Sequence, residues 1–191
     1  MNKNWLWLIV IVLVGFFIYN IVSSIQSRPQ YIQRSYKAVY TFDRSVETGM
    51  YNWVVFSYSK QDDLKKSYEY FQGVSMEEKK NNYAQMLAKL SEQADRKVIL
   101  LTYESTAVLL ADEMEVEEYS TVEGMAHQEE GFWVTGFGAN RLQLQENSSL
   151  SFVFPADAEI LSVNPEPDER EGNVLFWETP GQLTFPVVSY R

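Results

Sequence analysis

The sequence contains no cysteine and only one histidine, His127, among its 191 residues. Without cysteine the chain has no disulfide framework, no thiol nucleophile, no thiolate metal ligand and no lipoprotein anchor. One histidine excludes a metal site built from several histidines, and a His-dependent triad would have to use His127. No Gly-x-Ser-x-Gly elbow, phosphate-binding loop or dinucleotide fingerprint occurs. The sequence therefore identifies no catalytic residue, no metal ligand set and no cofactor-binding residue.

Basic residues are scarce in the second half of the chain. Residues 1–97 carry 13 Lys or Arg against 9 Asp or Glu, whereas residues 98–191 carry 3 against 17. The acidic half repels a polyanion, and the first half has no basic cluster strong enough to compensate, so we expect no nucleic-acid partner. The acidic excess is typical of a solvated face, and cation binding or a basic partner is the alternative.

The longest hydrophobic run lies near the amino terminus, at residues 5–25. Its first 18 residues carry no charge, and as a helix they span about 27 Å, close to the thickness of a bilayer's hydrocarbon core. We predict a transmembrane helix over residues 5–25, with Trp5, Trp7 and Tyr19 as membrane anchors at the headgroup level. A cleaved signal peptide is the alternative, but the run is longer than the usual apolar region of such a peptide.

The orientation of this helix rests on three signals. The basic residues near its two ends are almost balanced and slightly favour a cytoplasmic body. In contrast, a tail of only four residues, 1–4, is typical of a signal anchor, and Asn147 begins a glycosylation acceptor sequence that matters only outside the cytoplasm. We predict a single-pass protein of the cell membrane, with a cytoplasmic tail, a stalk over residues 26–35, an extracytoplasmic domain over residues 36–191 and Asn147 as a candidate glycosylation site.

Most of the chain beyond the stalk has the two-residue period of β-strands. Tyr36, Ala38, Tyr40 and Phe42 fall on one face of a first strand, and residues 50–59 form its hairpin partner, a central strand because both faces carry apolar groups. Further strands are predicted over residues 96–105, over residues 106–124, and beyond Gly124 as short strands between Gly, Pro, Asn and acidic turns. This succession of short strands and turns is typical of a β-sandwich or a compact antiparallel sheet.

A helical period interrupts the strands at residues 61–95. Leu64, Tyr68 and Phe71 recur at spacings of four and three, and the pair Ser75 and Glu78 forms a capping box for a second helix. One apolar stripe runs along that second helix: Met76, Tyr83, Leu87, Leu90 and Ala94. We interpret the stripe as packing against the sheet, because the opposite face mixes both signs of charge instead of being uniformly basic. The fold class is α+β, a transmembrane helix followed by a mainly antiparallel β-sandwich-like domain with an inserted helical pair.

Two groups of carboxylates are candidate cation ligands. The first shares one face of a strand: Glu113, Glu115 and Glu117. Alternate side chains of a strand are too far apart and too parallel to enclose one ion, so a solvated face is the better interpretation. The second group lies in the most polar loop, at Asp168, Glu169 and Glu171, but its spacing matches no ordered calcium loop.

The C-terminal block, residues 150–190, has an ordered succession of features. A strand ends in Phe-Pro, an Ile-Leu-Ser-Val strand and a Pro-acidic turn follow, and Asn-Val-Leu-Phe-Trp precedes a last strand that contains proline. The residues that define this succession are Phe154, Pro155, Pro165, Asn173, Trp177 and Pro186. The block resembles uncharacterised single-pass, membrane-anchored domains of archaea and some anaerobic bacteria. That resemblance implies an extracytoplasmic β-rich domain of unknown function, and it supplies core and turn positions but no active site.

Two functions from different classes remain as hypotheses. The first is a non-enzymatic surface or assembly component that contacts the bilayer through residues 5–25 and a second envelope protein, or a copy of itself, through its domain. The second is a membrane-tethered hydrolase outside the cytoplasm. A smooth sandwich with one exposed apolar strip favours the first hypothesis, and a concave pocket with converging groups of shifted pKa favours the second.

One pair of residues in the sequence resembles a hydrolase motif. Bacterial signal peptidases use a Ser-Met nucleophile motif and a downstream lysine base, and Ser75-Met76 with Lys97 resembles that pair. The proline expected soon after Ser-Met is missing, and Ser75 is better placed to cap a helix. A carboxylate pair for glycoside hydrolysis is the other form of this hypothesis, but nothing in the sequence singles one out. We therefore favour the non-enzymatic hypothesis and expect no cofactor.

Overall fold

A computed structural model of the chain describes residues 31–94, 96–137 and 140–191. The predicted cytoplasmic tail, the transmembrane helix over residues 5–25 with Trp5, Trp7 and Tyr19, and half of the predicted stalk lie outside the described residues. Neither helix in the described part of the chain has both the length and the apolarity that a bilayer crossing needs.

The described residues form two helices and thirteen strands. The helices are α1 (Gln61–Gly73) and α2 (Met76–Ala94). The long strands are β1 (Tyr31–Phe42), β2 (Glu47–Tyr58), β3 (Ile99–Leu109) and β4 (Glu113–Glu123). The short strands are β5 (Ala126–Glu129), β6 (Phe132–Thr135), β7 (Arg141–Leu144), β8 (Ser148–Val153), β9 (Ile160–Asn164), β10 (Glu169–Glu171), β11 (Val174–Trp177), β12 (Gly181–Thr184) and β13 (Val187–Tyr190).

The strands form three sheets, which are mainly antiparallel as predicted. A seven-stranded sheet has the order β10-β11-β8-β1-β2-β4-β3, a four-stranded sheet has the order β5-β6-β13-β9, and β12 pairs with β7. The pair β1 and β8 is parallel, with Tyr36 opposite Ser148 and Thr41 opposite Val153. Parallel neighbours need a long connection, and here the helical pair and six further strands lie between them in the chain.

The first hairpin agrees with the predicted alternation. Ala38, Tyr40 and Phe42 are buried and Tyr36 is partly buried on one face of β1, and β2 is central, between β1 and β4. Strand β1 begins at Tyr31, so the last residues of the predicted stalk are strand, because they pair with the end of β2 around an irregularity between Gln33 and Ser35.

The helical pair covers one face of the large sheet. This inward face is the one on which Ala38, Tyr40 and Phe42 of β1 lie. In α1, Leu64 is buried and packs with Met114 and Val116, while Tyr68 and Phe71 are partly buried beside them. This arrangement follows from the predicted period, since residues three and four apart lie on one side of a helix.

The stripe of α2 packs on the sheet as predicted over most of its length. Tyr83 and Leu87 are buried in the main core and Leu90 packs against it. Met76 is 43% exposed, so its assignment to the buried stripe is wrong: it is the first residue of α2, at the corner with α1. The side chain of Ala94 is not among those described.

The main core lies between the large sheet, α2 and the small sheets. Phe152 of β8 is fully buried at its centre, and its ring lies 4.9 Å from that of Phe42, 5.1 Å from that of Trp177 and 5.6 Å from that of Phe185. Aromatic rings at these separations bury large apolar areas and contribute beyond area alone. The core thus joins the first hairpin to the C-terminal strands.

Two strand boundaries differ from the predicted ones. Strand β3 runs through residue 105 without a break to Leu109, and the turn to β4 lies at residues 110–112, where the Leu110 amide donates to the Glu113 carbonyl at 2.9 Å. Strand β5, which carries His127, is absent from the prediction, because its sequence Ala-His-Gln-Glu has one apolar residue and shows no alternation.

Candidate functional site: a cavity beneath helix α2

A cavity of about 440 Å³ lies between α2, the inward face of the large sheet and the segment that leads into β7. Most of its lining is apolar, from residues that include Tyr40, Met50, Leu87, Met125, Phe137 and Phe185. Tyr40 and Met50 point into it because they are opposite each other on adjacent strands and share the inward face. The volume and the apolar lining are those of small-molecule sites in proteins.

A second, smaller cavity of about 310 Å³ adjoins the first at the corner between α1 and α2. The two cavities share three lining residues, Tyr83, Met86 and Glu118. Met86 is 44% exposed and therefore lies at the rim, whereas Glu118 on β4 forms part of the floor. We call the two cavities together the α2 cavity.

The floor of the α2 cavity carries a polar cluster in a mainly apolar wall. Asn52 is directly opposite Glu118 in the sheet and accepts a hydrogen bond from the Tyr36 hydroxyl at 3.1 Å. The Tyr103 hydroxyl donates to Glu118 Oε1 at 2.5 Å. The rings of Tyr83 and Tyr103 lie 4.9 Å apart. Three strands and one helix therefore converge on one carboxylate.

Burial shapes the electrostatics of this cluster. It raises the pKa of Tyr36 and of Tyr83, and the nearby Glu118 charge acts in the same direction on both. Burial likewise raises the pKa of Tyr103, and the hydrogen bond to Glu118 adds to that rise. The phenols are thus neutral at physiological pH, in surroundings that disfavour a further negative charge.

Glu118 has no protein cation beside it among the described residues. The ion pairs in this part of the chain join Arg44 to Asp157, His127 to Glu129 and Arg191 to Glu159, and none includes Glu118. Two basic residues line the cavity, but their ends are engaged elsewhere. Lys79 Nζ lies 3.5 Å from the centre of the Phe71 ring, and an Arg141 nitrogen donates to Gln182 Oε1 at 3.2 Å.

The structure separates the two residues of the signal-peptidase-like pair. Ser75 precedes α2, and its hydroxyl oxygen accepts a hydrogen bond from the Glu78 amide at 3.2 Å, which is the predicted capping contact. Lys97 follows the other end of a helix of 19 residues, which is about 28 Å long. The two side chains cannot meet, and neither lines the α2 cavity.

The candidate cation ligands are not assembled around an ion site. Glu113, Glu115 and Glu117 lie on the outward face of β4, and Glu117 accepts a hydrogen bond from the Tyr51 hydroxyl at 3.2 Å. In the described part of the chain, no group of three or more His, Cys, Asp or Glu is placed to hold a metal ion.

In the polar loop, Asp168 has a different set of partners. It accepts hydrogen bonds from the Glu178 amide at 2.6 Å and from the Thr179 amide and hydroxyl at 2.8 and 2.7 Å. These bonds hold the pKa of Asp168 below its usual value. Glu169 and Glu171 are exposed on β10. Asp168 therefore fixes the turn after β11.

Asn147 is exposed in the turn between β7 and β8, with a positive φ of 60°. It lines a shallow surface cleft with Lys37, Trp53 and Glu178 on the outward side of the large sheet. An asparagine in this setting is accessible, and its glycosylation stays a prediction.

The residues of the C-terminal succession occupy the core and turn positions that the resemblance implies. Phe154, Trp177 and Pro186 are buried. The Asn173 amide donates to the carbonyls of Pro155 and Ala158 at 2.6 and 3.0 Å, and the Trp177 indole donates to the carbonyls of Pro165 and Glu166 at 3.2 and 3.1 Å.

Sequence reasoning missed Glu118 and the tyrosines around it. The signal that identifies Glu118 is the doublet Glu117-Glu118 in a strand with an alternating pattern, since successive strand residues point to opposite faces. One of the two carboxylates must therefore face the core side. The tyrosines come from distant segments, and only the register of β1, β2, β4 and β3 brings them to the same place.

The fold is that of a mainly antiparallel β domain with a helical pair on one sheet face. The chain belongs to the family described as "Domain of unknown function (DUF4897)", whose profile matches residues 32–191. The match extends well beyond the C-terminal block that carries the resemblance in the sequence. No curated protein matches the sequence.

Solved structures with a similar arrangement include the folded domain of LppM from Mycobacterium tuberculosis, studied by NMR, at 10% identity and a TM-score of 0.48, covering 82% of this chain and 88% of that one. An M1 zinc metallopeptidase from Deinococcus radiodurans is similar at 9% identity and a TM-score of 0.34, covering 85% of this chain and 42% of that one. A mutant of that metallopeptidase gives the same values for identity, TM-score and coverage of its own chain, with 83% of this chain covered. The present chain thus spans less than half of the metallopeptidase chains.

Proposed function

We propose that this protein is a non-enzymatic, membrane-anchored binding protein that holds a small, mostly apolar molecule in the α2 cavity. The observation that carries the proposal is the cavity itself: about 440 Å³, lined mainly by apolar side chains, with a few polar groups converging on its floor. An apolar ligand that enters such a cavity leaves water, and the polar groups fix its orientation.

The groups in the cavity support binding better than hydrolysis. Sequence reasoning associates a concave pocket with shifted pKa values with a hydrolase, and the α2 cavity has both features. However, most of its shifted groups are tyrosines whose pKa is raised, which makes them poorer bases and nucleophiles at neutral pH. Burial lowers the pKa of Lys79, but its Nζ lies over the Phe71 ring, and no described serine, threonine or cysteine lines either cavity. The one carboxylate on the floor, Glu118, lacks the second carboxylate that glycoside hydrolysis uses.

The lining also favours an adaptable binding surface. Three methionines, Met50, Met86 and Met125, line the larger cavity, and methionine side chains adjust to ligands of different shape because they are unbranched and polarizable. Met86 lies at the rim and half of it reaches solvent. We infer that entry to the cavity passes beneath this residue.

The position of the domain in the cell forms part of the proposal. The uncharged run over residues 5–25 supports a single membrane crossing, with the N-terminal tail in the cytoplasm and the domain outside. Its partners are then the lipid bilayer and an envelope protein or a second copy of the chain. Alkaline carbonate should leave the full chain in membranes, and protease should reach the domain from the outside of intact cells. Extraction by carbonate, or protection from external protease, would contradict the placement.

The binding proposal is tested with a photoactivatable alkanol on the full-length protein in lipid nanodiscs. Illumination should attach the alkanol to the α2 segment that lines the cavity, near residues 83–90, and excess octanol should suppress that labelling. Peptide mapping by mass spectrometry locates the adducts. Labelling confined to residues 5–25, with none at α2, would overturn the proposal.

Two methionines of α2 supply a matched pair of variants. Met86→Trp should fill the rim and reduce the labelling of α2, because Met86 lines both cavities. Met76→Trp changes a residue of almost equal exposure, 43% against 44%, that lines neither cavity. Equal effects of the two variants would show that labelling reports the helix surface and not the cavity.

A further inference from the structure

An acidic group of the α2 cavity, Glu118, has no cation beside it among the residues that the structure describes. Among the described residues, one side-chain hydrogen bond reaches the Glu118 carboxylate, from Tyr103 to Oε1, and no Lys, Arg or His lies within ion-pair distance of it. Glu118 is only partly exposed and shares its surroundings with apolar side chains. A carboxylate in such surroundings is costly unless a positive charge approaches it.

Aromatic rings surround the same carboxylate. Tyr36 and Tyr83 line the cavity with Glu118, and Tyr103 contacts it directly. The faces of aromatic rings attract cations, and a carboxylate among several rings is the arrangement that recognises substituted ammonium groups. A protein cation in the same cavity already uses this interaction, since Lys79 lies over the Phe71 ring.

The positions of these groups limit what the cavity accepts. The floor has one carboxylate, the amide of Asn52 and neutral phenols. Most of the remaining wall is apolar, and its polar exceptions are Asn140 and Arg141 in the larger cavity and Lys79 and Asn82 in the smaller one. A small metal ion would find too few oxygen ligands, since Mg²⁺ and Ca²⁺ need about six or more. An organic cation instead satisfies both the carboxylate and the apolar wall.

We propose that the α2 cavity binds an organic cation, a methyl- or alkyl-substituted ammonium group, between Glu118 and the rings of Tyr36 and Tyr83. This inference rests on the proposed binding function and specifies the ligand's chemistry. The ammonium group occupies the space beside Glu118, and the apolar remainder of the ligand lies against Met50 and Leu87.

The test compares choline with its neutral carbon isostere, dimethylbutanol, which has the same shape and no charge. The protein is the full chain in nanodiscs of phosphatidylglycerol, which contain no choline headgroup. Equilibrium dialysis with labelled choline measures its affinity, and competition measures that of the isostere. We expect the isostere to bind at least about tenfold more weakly, the order of a partly desolvated cation and aromatic contact. Equal affinities would overturn the proposal.

Two variants make the same substitution, glutamate to glutamine, on opposite faces of strand β4. Glu118→Gln keeps the shape of the floor and removes its charge, so choline should bind about tenfold more weakly. Glu117→Gln makes the same change on the outward face of the same strand and should leave choline binding as it is. Equal loss in both variants would show a general effect of net charge and overturn the inference.

The tyrosine rings are tested separately. Tyr83→Phe keeps the ring and should retain choline binding, and Tyr83→Leu removes the ring and should weaken it. Tyr119→Leu is the control, because Tyr119 is 49% exposed on β4 and lines neither cavity. If a folded Tyr83→Leu variant binds choline as the wild type does, the proposed contact between the ammonium group and the Tyr83 ring is wrong.

Two further comparisons complete the test. The first distinguishes a lipid headgroup from a free small cation, and the second distinguishes failure of this inference from failure of the proposed function. Displacement of labelled choline by lysophosphatidylcholine at lower concentration than by choline itself identifies a lipid headgroup, and the reverse order identifies a free small cation; both outcomes support the cation site. Labelling of the cavity by the alkanol without choline binding would overturn this inference but not the proposed function. Absence of both alkanol labelling and choline binding would overturn this inference and the proposed function together.

Discussion

The Tyr103 hydroxyl on β3 donates a 2.5 Å hydrogen bond to Glu118 on β4, across the floor of the α2 cavity. Tyr103 is opposite Ser120 in the sheet, two residues beyond Glu118, so this is a diagonal contact between side chains on one sheet face. The bond holds one oxygen of the carboxylate in place.

Removing that hydroxyl should destabilise the domain. Tyr103→Phe keeps the ring beside Tyr83 and deletes the donor, so we expect the free energy of unfolding to fall by about 1.5–3 kcal/mol, the order for a hydrogen bond to a charged group. Urea unfolding measures the change. Tyr70→Phe is the control, since Tyr70 is 74% exposed on α1. A stability equal to that of the wild type would show that the hydrogen bond adds nothing to folding.

Alkaline pH should destabilise the domain through its buried tyrosines. Burial raises the pKa of Tyr36, Tyr40, Tyr83 and Tyr103 above the ordinary value of 10.0. The folded state therefore prefers the neutral phenols. Their contribution to stability is complete below pH 10.0 and is lost as the pH rises through the folded-state values.

The readouts are the free energy of unfolding against pH and the phenolate absorbance of the folded chain. Stability should decline above the ordinary tyrosine pKa, and part of the phenolate signal should appear only together with unfolding. Tyr36→Phe should flatten the decline. Complete phenolate formation in the folded chain at the ordinary pKa would contradict the burial of these rings.

Acid pH should act through the turn that Asp168 holds. Its hydrogen bonds to Thr179 and Glu178 lower the pKa of Asp168. The stabilising effect is present above the ordinary value of 3.8 and is lost as the pH falls through the lower folded-state value. Asp168→Asn should therefore reduce stability at neutral pH and flatten its fall at acid pH.

The matched control is Glu169→Gln, which removes the charge of an exposed neighbour. Thermal unfolding at neutral and acid pH compares the two variants with the wild type. If both variants behave alike, net charge and not the turn explains the effect.

A glycine between β4 and β5 positions Met125 at the α2 cavity. Gly124 has φ of +97°, and a Cβ at this position would lie 2.3 Å from the Lys97 carbonyl oxygen. Gly124→Ala should cost about 1–3 kcal/mol for the backbone conformation alone, with a further cost from the clash. Gly73→Ala, where a Cβ would meet nothing within 4 Å, should be neutral in the same urea titration. Equal stabilities of the two variants would contradict the local conformation of Gly124.

The sequence predicts the secondary structure well because the apolar period is strong in both kinds of element. Leu64, Tyr68 and Phe71 mark α1, and alternation marks β1 and the inward face of β4. The parallel pairing of β1 with β8 is not predictable in this way, since a strand's alternation is the same for a parallel or an antiparallel neighbour.

The candidate site was harder to predict for a related reason. Glu118 lies one residue from Glu117, in a stretch that resembles a solvated acidic face, and its role depends on what covers it. Tyr36, Tyr83 and Tyr103 lie on three elements separated by 20 residues or more along the chain. Each is an ordinary inward-facing aromatic in its own segment, and only the packing of α2 on the sheet brings the three rings around one carboxylate.

Co-purification under mild detergent addresses the proposed protein partner. If the domain is a surface or assembly component, the full chain should leave the membrane with a defined envelope protein or as a defined oligomer. Recovery only as a monomer without companions would contradict that part of the proposal, and the cavity would still be open to test.

The most direct measurement of ligand binding in the α2 cavity uses the methyl groups of isotope-labelled methionine by NMR on the full chain in nanodiscs. Met50, Met86 and Met125 line the larger cavity, whereas Met76 and Met114 line neither cavity. On titration with octanol, the signals of the first three should shift together and saturate, while those of Met76 and Met114 stay in place. Shifts of all five in proportion to octanol, without saturation, would show that the alkanol acts on the bilayer or the surface and would contradict a binding cavity beneath α2.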